Sequence, residues 1–260
     1  MIKTPEEIKK IKIASKLAAE VLEYIEPFVK VGVSTNYIDK KCHEFIVDKQ
    51  KAKPAPLNYR GFPKSICTSI NHQVCHGIPS DRKLKNGDII NIDVAVIKNQ
   101  YHGDTSKMFS IGKVSKQAEI LNRVSQNCLY KAIKVVKPGI KTGLIGYTIQ
   151  KYAEKNFCSV VREYCGHGIG INFHEEPQIL HYGDKYEGVT LKKGMIFTIE
   201  PMINIGKRYI KLLKDNWTVV TKDHSLSAQW EHTILVIDHG AEVLTRRKEE
   251  DKFFNSTQEI

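Results

Sequence analysis

The fold is decided by two stretches of sequence, LKNGDIINID at positions 84–93 and LKKGMIFTIE at positions 191–200. Each stretch begins as a charged turn that contains a glycine and continues as a strand that ends in a carboxylate, Asp93 in the first and Glu200 in the second. The two glycines and the two carboxylates are each separated by the same 107 positions. This repeated spacing predicts two related units, each of which delivers one acid to a shared site.

The same offset relates two amphipathic helices. Their starts are marked by GVST at positions 32–35 and by GIKT at positions 139–142. Apolar residues then recur at i, i+4, i+7 and i+8, which is one face of a helix. These residues are Ile38, Cys42, Phe45 and Ile46 in the first copy and Ile145, Ile149, Tyr152 and Ala153 in the second. We therefore predict an α+β fold with two pseudosymmetric helix-plus-strand halves around an antiparallel sheet.

The size of the chain is compatible with two such halves fused around one core. We predict one domain over residues 1–260 with an internal pseudo-repeat at about 28–135 and 136–240. Before the first repeat, a capping box at Thr4 predicts a helix that ends near Pro27.

Three further elements are predicted in the second half. A continuous strand is expected at positions 196–203, and a hairpin is expected to join strands at 216–221 and 227–237. Beyond Asp238 the chain is charged, so we expect this tail to fray.

The composition is that of a globular protein. Its hydrophobic content is 41%, and no run approaches the roughly eighteen uninterrupted apolar residues that a membrane span needs. The N-terminus opens on a charged helix rather than on a targeting segment. We therefore expect a cytoplasmic protein with no membrane partner. Six cysteines without paired spacing predict reduced thiols.

The net charge is basic, +11 from 40 Lys and Arg against 29 Asp and Glu. Such a balance can indicate a polyanionic partner. Most of the positive residues are lysines spread along the chain, which favours a solvated surface. We predict no sequence-specific nucleic-acid binding, while weak attraction to RNA stays open.

A hairpin is predicted around a turn near position 99, between strands that carry Asp93 and Asp104. A two-residue turn at 98–99 places the two acids directly opposite each other, and a turn at 99–100 places them one diagonal step apart. In either register the acids share one face, and their charges repel unless a cation lies between them. The alternative is that one acid is exposed to solvent on an edge strand.

Three histidines lie in segments whose backbone is shaped by glycine or proline. His76 is in CHGIP, His167 is in CGHGIG, and His174 follows seven residues after His167. Glycines on both sides of His167 let the backbone bend tightly and bring the imidazole to a shared point. A single loop histidine is more often structural, so His76 alone indicates little.

Glu231 lies in the segment WEHT, within an otherwise apolar strand, where a carboxylate is usually partly exposed. With it, four carboxylates and one imidazole are predicted on strands or glycine-rich turns around one sheet. They are Asp93, Asp104, His167, Glu200 and Glu231. Oxygen ligands with a single nitrogen suit two divalent metal ions, which need bridging carboxylates to offset their repulsion. Asp104 and Glu231 are available to bridge.

These residues lie in motifs that resemble those of the type I methionine aminopeptidases, which share the pita-bread fold of two pseudosymmetric halves. The motifs are NIDV at 91–94, HGDTS at 102–106, GHGIG at 166–170, FTIEP at 197–201 and QWEHT at 229–233, in the family's order. The resemblance covers nearly the whole chain, to about Ile237. The spacing between His174 and Glu200 leaves no room for the insertion of the type II enzymes.

The resemblance implies two divalent metal ions as cofactors, with cobalt, manganese, iron or zinc as candidates. By this analogy Asp93 chelates one ion, while His167 and Glu200 bind the other. Asp104 and Glu231 bridge both ions.

The resemblance also implies removal of the initiator Met by an aminopeptidase that attacks the first peptide bond with activated water. Glu200 would move the proton of that water, His174 would bind the developing oxyanion, and His76 would contact the substrate amide. The methionine pocket would be formed by Tyr59, Phe62, Cys67, His76 and Trp217. A crowded site should accept only a small second residue.

Two alternatives stay open. One is a metal-free pita-bread binding module, which the five ligand-type residues disfavour. The other is a different dinuclear metallohydrolase, such as a phosphoesterase, for which the sequence offers no glycine-rich phosphate cradle. The expected partners are the N-terminal Met of nascent polypeptides and, transiently, the ribosome. We expect a monomer.

Overall fold

A computed structural model describes residues 1–251 and 253 of the chain. The α-helices in this part are α1 (Pro5–Ile25), α2 (Thr35–Glu44), α3 (Lys116–Val135) and α4 (Gly143–Lys155). Short 3-10 turns follow at Glu26–Phe28, Tyr59–Gly61 and Lys248–Glu250, and a π turn at Phe45–Lys49 extends α2. The first helix therefore ends close to Pro27, as predicted.

The capping box at the start of α1 is confirmed. The Thr4 hydroxyl accepts from the Glu7 backbone N–H at 3.3 Å, and the Thr4 N–H donates to the Glu7 carboxylate at 2.8 Å. Pro5 occupies the first helical position, where a backbone N–H would have no helical partner.

The strands are short and pair antiparallel throughout the described residues. They are β1 (Lys53–Pro54), β2 (Cys67–Ile70), β3 (Gln73–Cys75), β4 (Ile89–Lys98), β5 (Tyr101–Ser110), β6 (Ser159–Val160), β7 (Gly166–Gly168), β8 (Glu175–Ile179), β9 (Ile196–Ile199), β10 (Met202–Asn204), β11 (Ile210–Leu212), β12 (Val219–Thr221), β13 (Ser227–Gln229), β14 (His232–Ile237) and β15 (Gly240–Val243). The α+β class is confirmed.

The strands form two larger sheets and two smaller ones. Strand β4 pairs with β5, β2 and β1, and the five-stranded sheet has the order β15-β14-β9-β7-β8. The three-stranded sheets have the orders β13-β10-β6 and β11-β12-β3. An isolated bridge between Ser106 of β5 and Glu231 connects the two larger sheets at the point where the ligand-type acids lie.

The β4–β5 hairpin adopts the second of the two predicted registers. Asp93 faces Ser106, and Ala95 faces Asp104. The two acids are therefore one diagonal step apart on the same face, close enough for their charges to interact.

The two halves share a hydrogen-bond pattern at the offset of 107 positions. Gly32 N–H donates to the Leu84 carbonyl at 2.8 Å, and Gly139 N–H donates to the Leu191 carbonyl at 2.9 Å. Three of the four equivalent helix positions, including Ile38 and Ile145, are fully buried in both halves, while Phe45 and Tyr152 are partly buried in theirs. This pattern is what a structural repeat would produce, and the exact boundaries of the repeat stay a prediction.

Each half packs its helices on its own apolar core. The first core joins α1 and α2 to β4, and the second joins α3 and α4 to β9, β10 and β14. All six cysteine thiols are unpaired, as expected. No helix within residues 1–251 combines the length and apolar character that crossing a membrane requires.

The predicted strand over 196–203 is wrong as a continuous element. It is divided into β9 and β10, and Glu200 and Pro201 lie between them. Pro201 has no backbone N–H to donate, so the ladder cannot continue through it. The break leaves Glu200 at the end of β9.

The predicted hairpin between 216–221 and 227–237 is also wrong. Strand β12 pairs with β11 and β3, whereas β13 pairs with β10 and β14 pairs with β9 and β15. The local turn is closed instead by the Thr221 hydroxyl, which donates to the Ser225 carbonyl at 2.8 Å. Partners distant in sequence outcompete the neighbouring strand.

The expected fraying beyond Asp238 is wrong for residues 240–251. Strand β15 pairs with β14, and the Arg247 and Glu250 side chains that follow are buried. Arg247 Nη2 donates to Glu250 Oε1 at 2.7 Å, and that oxygen also lies 3.0 Å from His232 Nε2 and accepts from the Tyr130 hydroxyl at 2.6 Å. These four residues are called the C-terminal ion cluster below.

Candidate active site

One cavity of about 480 Å³ opens between the two halves of the fold. Every residue that the sequence nominated for chemistry or binding lines it. These residues are Tyr59, Phe62, Cys67, His76, Asp93, Asp104, His167, His174, Glu200, Trp217 and Glu231. The structure thus brings together side chains that are distributed over most of the chain.

Four carboxylates form one wall of the cavity, and we call them the acid cluster: Asp93, Asp104, Glu200 and Glu231. Asp104 and Glu231 are only 4% and 2% exposed, so neither is a solvated residue on an edge strand. The backbone N–H of Glu231 donates to the Ser106 carbonyl at 3.2 Å, which fixes this acid beside β5.

His167 faces the acid cluster from β7. Its Nδ1 lies 2.9 Å from the Gly168 carbonyl, which can only accept, so Nδ1 carries the hydrogen. Nε2 lies 3.7 Å from Asp104 Oδ2 and 3.6 Å from Glu200 Oε1. Nε2 is therefore the ring nitrogen that is directed at the acids.

The glycines beside His167 are required by close backbone contacts. A Cβ on Gly166 would lie 2.3 Å from the Thr198 carbonyl oxygen, and one on Gly168 would lie 2.2 Å from the Glu176 carbonyl oxygen. Neither backbone oxygen can move aside without breaking the sheet. Both glycines therefore let β7 approach its neighbours closely enough to hold His167 in the cavity.

Burial and mutual repulsion perturb the acid cluster. Burial, with the charges of Asp104 and Glu200, raises the pKa of Asp93 well above its usual range, and Glu231 is shifted in the same direction by the same causes. Burial raises the pKa of Glu200 to about 7 even though His167 acts in the opposite direction. Unbalanced negative charge is the dominant property of this wall.

The donor set fits a divalent metal centre. Oδ1 of Asp104 is buried and has no hydrogen-bond partner within the described residues. Ligand atoms of Asp104, His167 and Glu231 all lie within 4.8 Å of one another. Carboxylate oxygens with one imidazole nitrogen are typical ligands of borderline divalent cations, and a cation here would offset the repulsion.

Glu200 is held by three polar neighbours. The Thr198 hydroxyl donates to its Oε1 at 2.7 Å, and the side-chain amide of Gln229 donates to its carbonyl at 3.2 Å. The backbone N–H of Glu200 donates to His181 Nε2 at 3.2 Å. Burial lowers the pKa of His181 to about 3, so this ring is neutral and can accept.

The opposite wall of the cavity is apolar and aromatic. Phe62 and Trp217 meet edge to face with their centroids 5.1 Å apart, and the His76 ring lies 5.4 Å from that of Tyr164. His76 has a φ of +55°, a strained backbone conformation that aims its side chain into the cavity. An apolar slot thus lies next to the acid cluster.

His174 stands between the two walls. Its ring centroid is 4.2 Å from that of His167, and its Nδ1 is 2.9 Å from the Tyr59 hydroxyl oxygen. Burial, together with the neighbouring His167, lowers the pKa of His174 to about 3. The ring is therefore neutral near pH 7.

Comparison with known families gives this arrangement a context. The sequence profile of metallopeptidase family M24 matches residues 9–238, which is most of the chain. The chain belongs to metallopeptidase family M24.

Characterised relatives of this M24 chain include the methionine aminopeptidase of Escherichia coli (strain K12). That protein is 60% identical over 250 residues, which cover 96% of this chain and 95% of the relative. The methionine aminopeptidase of Buchnera aphidicola subsp. Schizaphis graminum is 56% identical over 259 residues, with 98% of both chains covered.

Solved structures agree with this M24 assignment. The crystal structure of methionine aminopeptidase from Rickettsia prowazekii matches with a TM-score of 0.93 and 55% identity, covering 95% of this chain and 99% of that one. The prolidase from Pyrococcus furiosus matches with a TM-score of 0.73 and 21% identity, covering 95% of this chain and 66% of that one. The prolidase shows that the fold is shared, which confirms the predicted pita-bread architecture.

Sequence reasoning missed several residues of the M24 cavity. They are Pro56, Arg60, Tyr164, Phe173, Leu212 and Asn216. Phe173 adjoins His174 and Arg60 adjoins Tyr59, so proximity to a nominated residue was the available signal. For Leu212 no such signal exists, because the pairing of β11 with β12 brings it to the rim.

Proposed function

We propose that this chain is a methionine aminopeptidase, which removes the N-terminal Met from nascent polypeptides whose second residue is small. The observation that carries this proposal is a single cavity in which five ligand-type side chains adjoin an aromatic slot. Relatives that are 60% identical over nearly the whole chain are methionine aminopeptidases, which supports the same conclusion.

The acid cluster and His167 would hold the metal. In our proposal Asp93 would bind one ion, His167 and Glu200 would bind a second, and Asp104 and Glu231 would bridge both. Cobalt, manganese, iron and zinc are the candidate ions. When bound, such cations supply Lewis acidity, which makes water a stronger nucleophile and polarises the carbonyl of the scissile bond.

The chain's own residues move the proton and stabilise charge. Glu200 accepts a proton from the attacking water and gives it to the amine nitrogen as the peptide C–N bond breaks. His174 donates a hydrogen bond to the oxygen that becomes negatively charged, and His76 contacts the substrate amide beside that bond. The products are free Met and a shortened polypeptide with a new amino terminus.

The aromatic wall would select the first side chain. Tyr59, Phe62, Cys67, His76 and Trp217 enclose the slot next to the acids. Burying a Met side chain there would contribute about 1.5–3 kcal/mol. The second residue would lie against the crowded acid cluster, which leaves room for Gly, Ala or Ser only.

The cellular setting follows from this substrate. We place the enzyme in the cytoplasm as a monomer that contacts the ribosome transiently, because its substrates are polypeptides still being made. A metal-free binding module is the less favoured alternative, because it would keep an acid cluster buried without a counter-charge.

Peptide hydrolysis tests the proposal directly. The purified chain should release Met from Met-Ala-Ser far faster than from Met-Lys-Ser, and should leave Leu-Ala-Ser largely intact. Dialysis against a chelator should abolish the activity, and adding back divalent ions one at a time should identify those that restore it. Equal cleavage of all three peptides, or full activity after chelation, would contradict the proposal.

A further inference from the structure

The contact between Tyr59 and His174 has a chemical role beyond lining the pocket. The Tyr59 hydroxyl oxygen lies 2.9 Å from His174 Nδ1, and the two ring centroids are 5.3 Å apart. In the cavity these two side chains come from opposite halves of the chain, so only the folded state brings them together.

The backbone around Tyr59 is built to hold its ring in place. Asn58 and Arg60 on either side have φ values of +67° and +47°, a conformation that is costly for non-glycine residues. The Tyr59 N–H donates to the Pro56 carbonyl, and the Phe62 N–H donates to the Tyr59 carbonyl, both at 2.9 Å. This tight turn limits where the hydroxyl can point.

The direction of the hydrogen bond follows from the two groups. A neutral imidazole has one N–H donor and one lone-pair acceptor, and a phenol can donate or accept. The phenol O–H is the more acidic donor, and the imidazole lone pair is the more basic acceptor. Tyr59 therefore donates to Nδ1, which leaves the hydrogen of His174 on Nε2.

The neighbouring ring is fixed in the opposite way. His167 Nδ1 donates to the Gly168 carbonyl, so Nε2 is the nitrogen that faces the acid cluster, where its lone pair would be available to a bound metal ion. The two rings lie only 4.2 Å apart. The remaining nitrogen of His167 would offer a lone pair, whereas the remaining nitrogen of His174 donates a hydrogen bond. A metal ligand must offer a lone pair, whereas an oxyanion is stabilised by accepting a hydrogen bond.

We propose that Tyr59 is a positioning residue that holds His174 as its Nε2–H tautomer, so that the ring donates to the oxygen of the scissile peptide. This inference rests on the proposed function for its substrate, but the tautomer itself is a property of the protein alone. The aromatic contact with Phe173, 5.1 Å between centroids, keeps the Tyr59 ring beside His174 when the hydroxyl is removed.

The test is Tyr59→Phe, which retains the ring and deletes the donor. Nitrogen-15 NMR of the imidazole nitrogens, recorded on metal-free protein near pH 7, should show His174 protonated at Nε2 in the native chain. The variant should show a mixture of the two tautomers. With Met-Ala-Ser as substrate and metal present, kcat should fall about tenfold while KM changes less than twofold.

Tyr164→Phe is the matched control, because it makes the same change elsewhere in the aromatic lining of the cavity, where Tyr164 faces His76 rather than His174. It should leave the His174 tautomer unchanged. An Nδ1–H tautomer in the native chain would overturn the inference, as would a Tyr59→Phe variant with the native tautomer and a raised KM alone. Absence of Met release by the native chain would instead contradict the proposed function, and the NMR result would still decide the tautomer.

Discussion

Glu231 and His232 are neighbours in sequence, yet they belong to two buried clusters of opposite character. Glu231 is part of the acid cluster, where four carboxylates line the cavity beside the imidazole of His167. His232 is part of the C-terminal ion cluster, where the charges of Arg247 and Glu250 neutralise each other. The link between them is short, because Arg247 Nη1 donates to the Thr105 hydroxyl at 3.0 Å, and that hydroxyl donates to the Glu231 carbonyl at 2.7 Å.

The pKa values of the two glutamates differ because their partners differ. Burial raises the pKa of Glu231, and the nearby acids raise it further. Burial also acts to raise the pKa of Glu250, but His232 and Arg247 outweigh it and hold that pKa well below its usual range. Burial of a carboxylate therefore indicates a role in stability where a cation is built into the protein, and a cation-binding role where none is.

The largest effects should follow from changing the acid cluster. Glu200→Gln should lower kcat by about 10²–10⁴-fold because it removes the proposed proton acceptor. Glu231→Gln should abolish activity as well, but through loss of the second metal ion. Steady-state kinetics on Met-Ala-Ser and elemental analysis of bound metal per chain distinguish the two failures.

Asp93→Asn supplies the symmetry-matched comparison, because Asp93 occupies the position equivalent to Glu200 in the first half. It should lower metal binding without changing the ionisation that limits kcat in the pH–rate profile. Two full metal ions in the Glu231→Gln protein, or near-normal turnover in the Glu200→Gln protein, would show that these roles are assigned wrongly.

Changing the C-terminal ion cluster should affect stability. Glu250→Gln removes the charge opposite buried Arg247, which should lower the free energy of unfolding by about 3–5 kcal/mol. The control is Glu119→Gln, since that side chain is 55% exposed and pairs with Lys116, which is 79% exposed. Its effect should be under about 1 kcal/mol. Equal losses for both variants in urea titrations would remove the distinction between the two glutamates.

The difference in stability between the native chain and Glu250→Gln should decrease as the pH is lowered. Glu250 faces Arg247, His232 and Tyr130, and its pKa is lowered in the folded state from an ordinary value of 4.5. Its contribution is therefore complete above about pH 4.5 and is lost as the pH falls below that value. The stability difference between the native chain and Glu250→Gln should shrink by up to about 1.4 kcal/mol per pH unit there. A difference that stays constant down to pH 3 would refute the assignment.

The smallest effect is expected for an ion pair of the same length at the surface. Lys193 Nζ lies 2.7 Å from Asp238 Oδ2, the same distance as in the Arg247–Glu250 pair, but both side chains are more than 60% exposed. Lys193→Ala should not shift the melting temperature measurably, because water screens the pair. A clear shift in differential scanning calorimetry would mean that distance matters more than burial.

Local patterns predicted the elements that depend on local physics. The capping box at Thr4 and the shared face of Asp93 and Asp104 both follow from spacing within one segment. The ligand-type residues were predicted from strands that carry acids and from the glycines beside His167, whereas the aromatic slot was predicted only from the resemblance to the type I methionine aminopeptidases. The roles given to these residues stay proposals, although the structure brings them to one cavity.

The errors arose where partners are distant in sequence. Strand β12 carries no feature that specifies β3 as its partner, and the choice depends on the packing of the whole second half. The charged segment after Asp238 has the composition of a solvated tail. Nothing in the local sequence reveals that Glu250 bonds to His232 and Tyr130. His181 was missed for the same reason, since its partner is the backbone of Glu200.

The late position of the C-terminal ion cluster has a consequence for how the molecule is made. Asp104 and Glu231 leave the ribosome before Arg247 and Glu250, which hold the neighbouring residues Thr105 and His232. Until residue 250 has emerged, Arg247 and Glu250 cannot bond to Thr105 and His232. The segments that carry Asp104 and Glu231 therefore lack these stabilising contacts. Each copy must therefore be translated through residue 250 before it can trim the first residue of another chain.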